Sequence, residues 1–285
     1  MRTWMVLAAI VALTGSAAAD NPHYLPATGT TVTFRLLVTV ISGGSERTMG
    51  QVYRVTTTAN DGTTAENTLT PLALVWRCAA DDTSSACEQA RHLPDSRREG
   101  DLLTVPLPAD VSSGLGKIGR LTVRDVFRFA QVFPIPGLLD TSEIAKPQIG
   151  AAPLVVQSTA LDCDEAALKT FFPFGAVARI TVPCKFTVET SQSRVAGIKD
   201  GKTTSDVKYE LAFAGHEHIA VPAGSYEVAV IKFKSMPASG DGAVTEGEWA
   251  FAQSLGFTAK YSSLTHAPNS TITTRIVREL IKAEP

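Results

Sequence analysis

Across residues 30–41 the chain alternates apolar and polar side chains almost without a break. Val32, Phe34, Leu36, Val38 and Val40 fall on one side, and Thr31, Thr33, Arg35 and Thr39 on the other. A two-residue period of this length suits a strand with one buried face and excludes an amphipathic helix, whose apolar positions recur at three- and four-residue spacing. The same period returns in Ala178, Ile180, Val182, Cys184, Phe186 and Val188 against Arg179, Thr181, Lys185, Thr187 and Glu189, and again in Val207, Tyr209, Leu211 and Phe213. Further strands are predicted over residues 51–58, 63–69, 72–76, 226–233, 244–251 and 270–280, with reversals at Gly43-Gly44, Asn60-Asp61-Gly62 and Asp200-Gly201.

Two short helices interrupt this pattern. Thr122 caps one, with Asp125 completing a capping box and Val123, Val126, Phe127 and Ala130 at helical spacing; Asp162, with Glu165 three residues on, opens another that ends by Phe172-Pro173. The expected fold is therefore mainly β: antiparallel meander sheets, each a curved sheet or incomplete barrel, with two short helices. Lys146-Pro147 and the run Ile149-Gly150-Ala151-Ala152-Pro153 break the periodicity and divide an N-terminal β lobe, residues 20–150, from a C-terminal one, residues 151–285.

The first 19 residues have the form of a secretory signal peptide. Arg2 is followed by an apolar run from Trp4 to Leu13 and then by the small residues Gly15, Ser16, Ala17, Ala18 and Ala19. The run falls short of the roughly 20 apolar residues a membrane-crossing helix needs, and nothing later in the chain is long and apolar enough to span a bilayer. A periplasmic or secreted protein is expected, and export permits disulfides. Spacing groups the four cysteines as Cys78 with Cys87 and Cys163 with Cys184, other pairings remaining open. Neither gap suits the short spacing of zinc ligands. With 44% hydrophobic residues and a formal charge of -2, the chain can bury a core but has no basic excess for nucleic-acid phosphates.

No catalytic constellation emerges. Gly114-Leu115-Gly116-Lys117-Ile118-Gly119, with Asp140 downstream, matches the spacing of a dinucleotide fingerprint, but Pro106 and Pro108 interrupt the strand it needs and no βαβ alternation follows; no cofactor is expected. Gln253-Ser254-Leu255-Gly256, with His266 beyond it, approaches a nucleophile elbow but lacks the intervening acid. His216 and His218 share one strand face at about 7 Å, close enough to chelate a metal if His23, His266, Glu246 or Glu248 supplied a third ligand. Glu246 and Glu248 likewise share a face. Phe127, Phe129 and Phe133, together with Phe171, Phe172 and Phe174, are the candidates to line a cavity for an apolar ligand; the same residues suit a plug at the open end of a sheet.

Gly215-x-Glu217-x-Ile219-x-Val221-Pro222-Ala223-Gly224-Ser225-Tyr226, followed by Trp249-Ala250-Phe251 and Leu255-Gly256-Phe257, resembles a strand-turn-strand pattern, G-x-E-x-V-x-V-P-A-G-[ST]-[FY], of uncharacterised exported bacterial β-proteins. The resemblance covers residues 205–265. It implies an antiparallel β domain of the cell envelope and assigns no catalytic residue. The expected function is binding: an exported noncatalytic envelope protein that holds an apolar small molecule, lipid or partner segment in a concave sheet. The alternatives are an interaction protein that offers exposed strand edges and a metal-dependent hydrolase centred on His216 and His218.

Overall fold

The structure is a computed structural model. It describes residues 25–62, 64–93, 95–107, 120–123, 156–191 and 201–284. The expected signal peptide, the boundary near residue 150, the Gly114–Gly119 run, His23, Phe127, Phe129 and Phe133 lie outside the described residues.

The first strands are β1 (Thr31–Ser42), β2 (Ser45–Asn60), β3 (Ala65–Arg77), β4 (Arg97–Glu99), β5 (Leu102–Pro106) and β6 (Arg120–Val123). Then come β7 (Val156–Cys163), β8 (Arg179–Ser191), β9 (Gly201–Val221), β10 (Gly224–Pro237), β11 (Val244–Ala252), β12 (Phe257–His266) and β13 (Thr273–Glu284), with helices α1 (Ser85–Arg91) and α2 (Glu165–Phe171). All pairings are antiparallel and form one open sheet in the order β4-β5-β3-β2-β1-β13-β12-β11-β10-β9-β8-β7, with β6 beside the first half of β3. Strands from both sides of the expected division join where β1 pairs β13. Periodicity alone predicts a sheet for each lobe; the single sheet arises from this pairing of the first strand with the last, which no local pattern encodes.

Several elements differ from the sequence expectation. The expected helix after Asp162 is present as α2, but its N-cap is Asp164, whose carboxylate accepts from the amides of Ala166 and Ala167 at 2.9 and 3.2 Å; the other expected helix lies outside the described residues from Asp125 onward. Asp162 remains in β7 opposite Lys185, because strand pairing persists through the Cys163–Cys184 bridge. Thr122 and Val123 belong to β6, paired with Glu66 and Ala65, so Thr122 is no helix cap there. The strands expected over residues 63–69 and 72–76 are joined, from Ala65 onward, in one strand, β3. Pro71, which cannot donate to the ladder, is accommodated at a register shift opposite Val52 and Tyr53. Helix α1 occupies part of the expected loop between Cys78 and Cys87, and β4, β5, β7 and β12 are not among the strands that periodicity predicts.

The registers place Phe213, Ile231, Trp249, Tyr261, Arg278, Leu36, Gln51, Leu74 and Val105 opposite one another in one row across β9-β10-β11-β12-β13-β1-β2-β3-β5. All except the half-buried Phe213 are buried. This row is the spine of the apolar face. Helix α2 packs there over β8, bringing Leu168 and Phe171 to Val182, Leu211 and Trp249 in one core cluster. At the other end α1 carries Cys87 and Ala90 onto Leu74, Trp76 and Leu103. The buried Arg278 guanidinium lies over the rings of Phe34 and Tyr261, at 5.2 and 5.6 Å from their centroids, an arrangement that offsets part of the cost of burying the charge.

The other face changes character along the sheet. Its row from β8 to β3 reads Arg179, Ala212, Lys232, Glu248, Ser262, Val277, Leu37, Gly50 and Val75: charged and exposed at first, apolar and increasingly buried later. The covering of the later part follows from curvature. In a flat sheet β4 and β1 would lie about 19 Å apart, yet Glu99 of β4 meets Arg35 of β1 at 3.1 Å. The sheet therefore curls toward this face at its β4 end and leaves the β8–β11 part open.

Candidate binding cleft

An open cleft of about 500 Å³ crosses this open part and is lined by Arg179, Ile180 and Thr181 of β8, Glu210, Leu211 and Ala212 of β9, Lys232, Phe233 and Lys234 of β10, and Glu246 and Gly247 of β11. Strand alternation sorts these residues. Arg179, Ala212 and Lys232 stand opposite one another in one row, and Thr181, Glu210, Lys234 and Glu246 in the next. These seven side chains share a face, Ala212 lying on the floor and the other six forming the walls; Ile180, Leu211 and Phe233 send theirs to the apolar core and contribute backbone to the floor.

Gly247 makes that core packing possible. A Cβ at this position would stand 2.8 Å from the Phe233 ring and 2.3 Å from the Ser262 carbonyl oxygen. Without it, the Phe233 ring lies across the strand and stacks on Tyr261 at 5.5 Å. Behind the cleft the sheet is thus packed with side chains.

The charges in the cleft are partly paired. Lys234 Nζ is 2.9 Å from Glu246, and this hydrogen bond and its charge raise the lysine pKa above its ordinary value. Glu210 is 3.6 Å from Lys208. Tyr53, Tyr209 and Tyr261 have pKa values raised chiefly by burial, but they belong to the opposite, core face.

Of the sequence-derived candidates Glu246 lines the cleft, and the other described ones fall elsewhere. Phe171, Phe172 and Phe174 are buried and packed on one another, with Phe174 also against Trp249 and Phe251 at 5.9 and 5.7 Å between centroids. They lie within the core cluster and do not line the cleft. His216 and His218 are exposed on β9 opposite Ala229 and Glu227, and the His216 ring sits edge-on to Phe213. Among the described residues, the grouping of three ligand-type side chains within reach of one ion is Cys78, Asp82 and Cys87, and its two sulfurs are bonded to each other. His266 contacts Thr273 through Nδ1 at 3.4 Å. Ser254 lies in the turn between antiparallel β11 and β12, not at a strand-to-helix elbow. Glu246 and Glu248 do share the open face.

The disulfides join Cys78 to Cys87 and Cys163 to Cys184, the latter pair directly opposite each other on β7 and β8 with Cα atoms 4.0 Å apart. The Val221-Pro222-Ala223-Gly224 segment makes the reversal between β9 and β10, with Gly224 at φ +136. Among the described residues, no helix is long and apolar enough to cross a membrane. The cleft itself escaped the sequence reading. Its signal was the polar side of the strands, Arg179 and Thr181 on β8 in particular, but alignment across four strands depends on register, which composition does not reveal.

No protein-family profile and no curated protein matches this sequence. Among solved structures, the fold is similar to a candidate lipoprotein of Parabacteroides distasonis, at 9% identity and a TM-score of 0.34 over 92% of this chain and 98% of that one. It is also similar to a candidate exported protein of Bacteroides fragilis with a YmcC-like fold, at 8% identity and a TM-score of 0.31 over 92% and 98% of the two chains. The hypothetical lipoprotein YmcC of Escherichia coli matches at 7% identity and a TM-score of 0.27 over 90% and 88%. These superpositions are too loose to assign a function.

Proposed function

We propose that this chain is an exported, noncatalytic binding protein of the bacterial cell envelope, and that it takes a small molecule or partner segment on the open charged face of its sheet. The observation that carries this reading is the cleft across β8–β11, whose volume of about 500 Å³ falls within the range of small-molecule sites. The leader-like first 19 residues and the two disulfides support export. The packing of Phe171, Phe172 and Phe174 into the core favours this face over an apolar interior as the binding surface.

Native mass spectrometry of gently purified protein tests the reading, with an Ala212→Trp variant that fills the cleft floor. The expected result is a retained adduct on the wild-type chain that the variant lacks. No adduct on either chain, or the same adduct on both, would overturn it.

A second reading rests on the edge of β9. Gly201–Ser205 pair β8 on one side only among the described residues, since β10 pairs β9 from Val207 onward and the Ala238 amide donates to the Asp206 carbonyl oxygen, and all five residues are exposed. Such an edge suits strand addition by a partner segment. A Thr204→Pro variant, which cannot accept a partner strand there, separates this mode from cleft binding.

A further inference from the structure

The geometry points to an anionic ligand: we infer that Arg179 and Lys232, flanking Ala212 on the cleft floor, form a seat for a phosphate- or carboxylate-type group. This inference deepens the proposed binding function and rests on it. Arg179 and Lys232 are both register partners of Ala212, one on each side, so all three side chains leave the sheet on the same face. Two inter-strand steps put the flanking Cα atoms about 10 Å apart. The Ala212 methyl between them leaves a notch, and a group seated there meets a guanidinium from one wall and an ammonium from the other.

The neighbouring charges do not fill this role. The lining has three cations, Arg179, Lys232 and Lys234, against two carboxylates, Glu210 and Glu246. Glu246 is engaged by Lys234 at 2.9 Å and Glu210 by Lys208 at 3.6 Å. Glu248 stands across Lys232 on the side away from Ala212, and does not line the cleft. Among the described residues, neither Arg179 nor Lys232 has a carboxylate within 4.0 Å, although both are exposed to whatever enters. A guanidinium offers paired donors to two oxygens of one anion, while the lysine supplies a compact charge on a flexible stem. Together they favour a tetrahedral or planar oxyanion over a neutral polar group. The cleft runs on past the seat toward Thr181 and Lys234, with room for the remainder of a larger molecule.

The test is an amide chemical-shift titration of the oxidised full chain, read at Ala212 and its β8–β10 neighbours. The probes are octyl phosphate, octyl glucoside and octyltrimethylammonium, each below its micelle concentration, and inorganic phosphate. Octyl phosphate is expected to shift the Ala212 amide, and the Arg179→Gln/Lys232→Gln double variant to weaken this binding on the order of tenfold or more. Ala212→Glu, which places a carboxylate in the seat, is expected to abolish it while the spectrum elsewhere stays folded. Equal binding of inorganic and octyl phosphate would support the seat and identify a free anion as its occupant; preference for octyl phosphate would support it and point to a headgroup carried on a chain. Binding of all three octyl probes with equal affinity would overturn the anion inference and leave the cleft reading standing. Absence of any shift at the cleft with every probe would overturn the inference, while the adduct measurement judges the cleft reading independently.

Discussion

Arg35 in the first strand donates from Nε to Glu279 in the last at 2.9 Å, across 244 positions of sequence. The same guanidinium reaches Glu99 at the β4 end of the sheet at 3.1 Å. One side chain therefore joins the two halves of the sheet and marks where it curls. The arginine and Glu279 side chains are only 16% and 23% exposed, so their pairing is less screened than a surface bridge, whereas Glu99, at 83%, contributes little.

Arg35→Ala is expected to destabilise the fold by about 1–3 kcal/mol, between the values for surface and fully buried pairs. Glu99→Ala should cost under about 0.5 kcal/mol. Urea unfolding midpoints of the two variants check this; equal midpoints would contradict the assignment of the stronger tie to Glu279.

Gly247→Ala is expected to cost about 1–3 kcal/mol, because the added methyl must displace the Phe233 ring or part β11 from β12. Gly201→Ala is the control: it lies in a strand with nothing within 4 Å of the added carbon and without a positive φ. Thermal unfolding should separate the two, with the Phe233–Tyr261 stack lost only in the Gly247 variant.

Burial raises the pKa values of Tyr53, Tyr209 and Tyr261, with the nearby Arg278 charge opposing this for Tyr53 and Tyr261. The folded chain thus holds these protons more tightly than the unfolded chain, whose tyrosines ionise near pH ~10. Their contribution to stability is complete below that pH and declines as pH rises through it, since the unfolded state then binds fewer protons. In an alkaline titration, three of the five tyrosines should withhold their tyrosinate absorbance until the chain unfolds. A smooth titration of all five before unfolding would contradict their burial.

Much of this architecture was legible locally. The alternation of β1 and of β8–β9 correctly assigned Val32, Phe34, Val182, Tyr209 and Leu211 to the core, and the Gly43-Gly44 and Asn60-Asp61-Gly62 reversals stand where turn chemistry put them. Helix α2 was also legible, two residues displaced, because the sequence offers both Asp162 and Asp164 as caps and only the Cys163–Cys184 register chooses between them. What periodicity could not supply was long-range pairing. The β1–β13 junction, the burial of Arg278 between two rings and the alignment of Arg179 with Ala212 and Lys232 all depend on which strands become neighbours. The aromatic residues show the same dependence: Phe171, Phe172 and Phe174 beside a short helix fit a ligand wall as well as a core from local pattern alone, and their packing against Trp249 and Phe251 comes from strands distant in sequence.

The continuity of the sheet between β1 and β13 underlies both the dry face and the charged one, and it can be tested directly by a cysteine pair at Leu37 and Val277, which are register partners. Directly opposed residues in an antiparallel ladder have Cα atoms about 4.5–5.5 Å apart, within disulfide range. The native cysteines leave no free thiol to compete. Peptide mapping of the mildly oxidised Leu37→Cys/Val277→Cys variant should recover an intramolecular link between these two positions from folded protein and not from protein oxidised in denaturant; two free, alkylated thiols in the folded variant would contradict the single sheet.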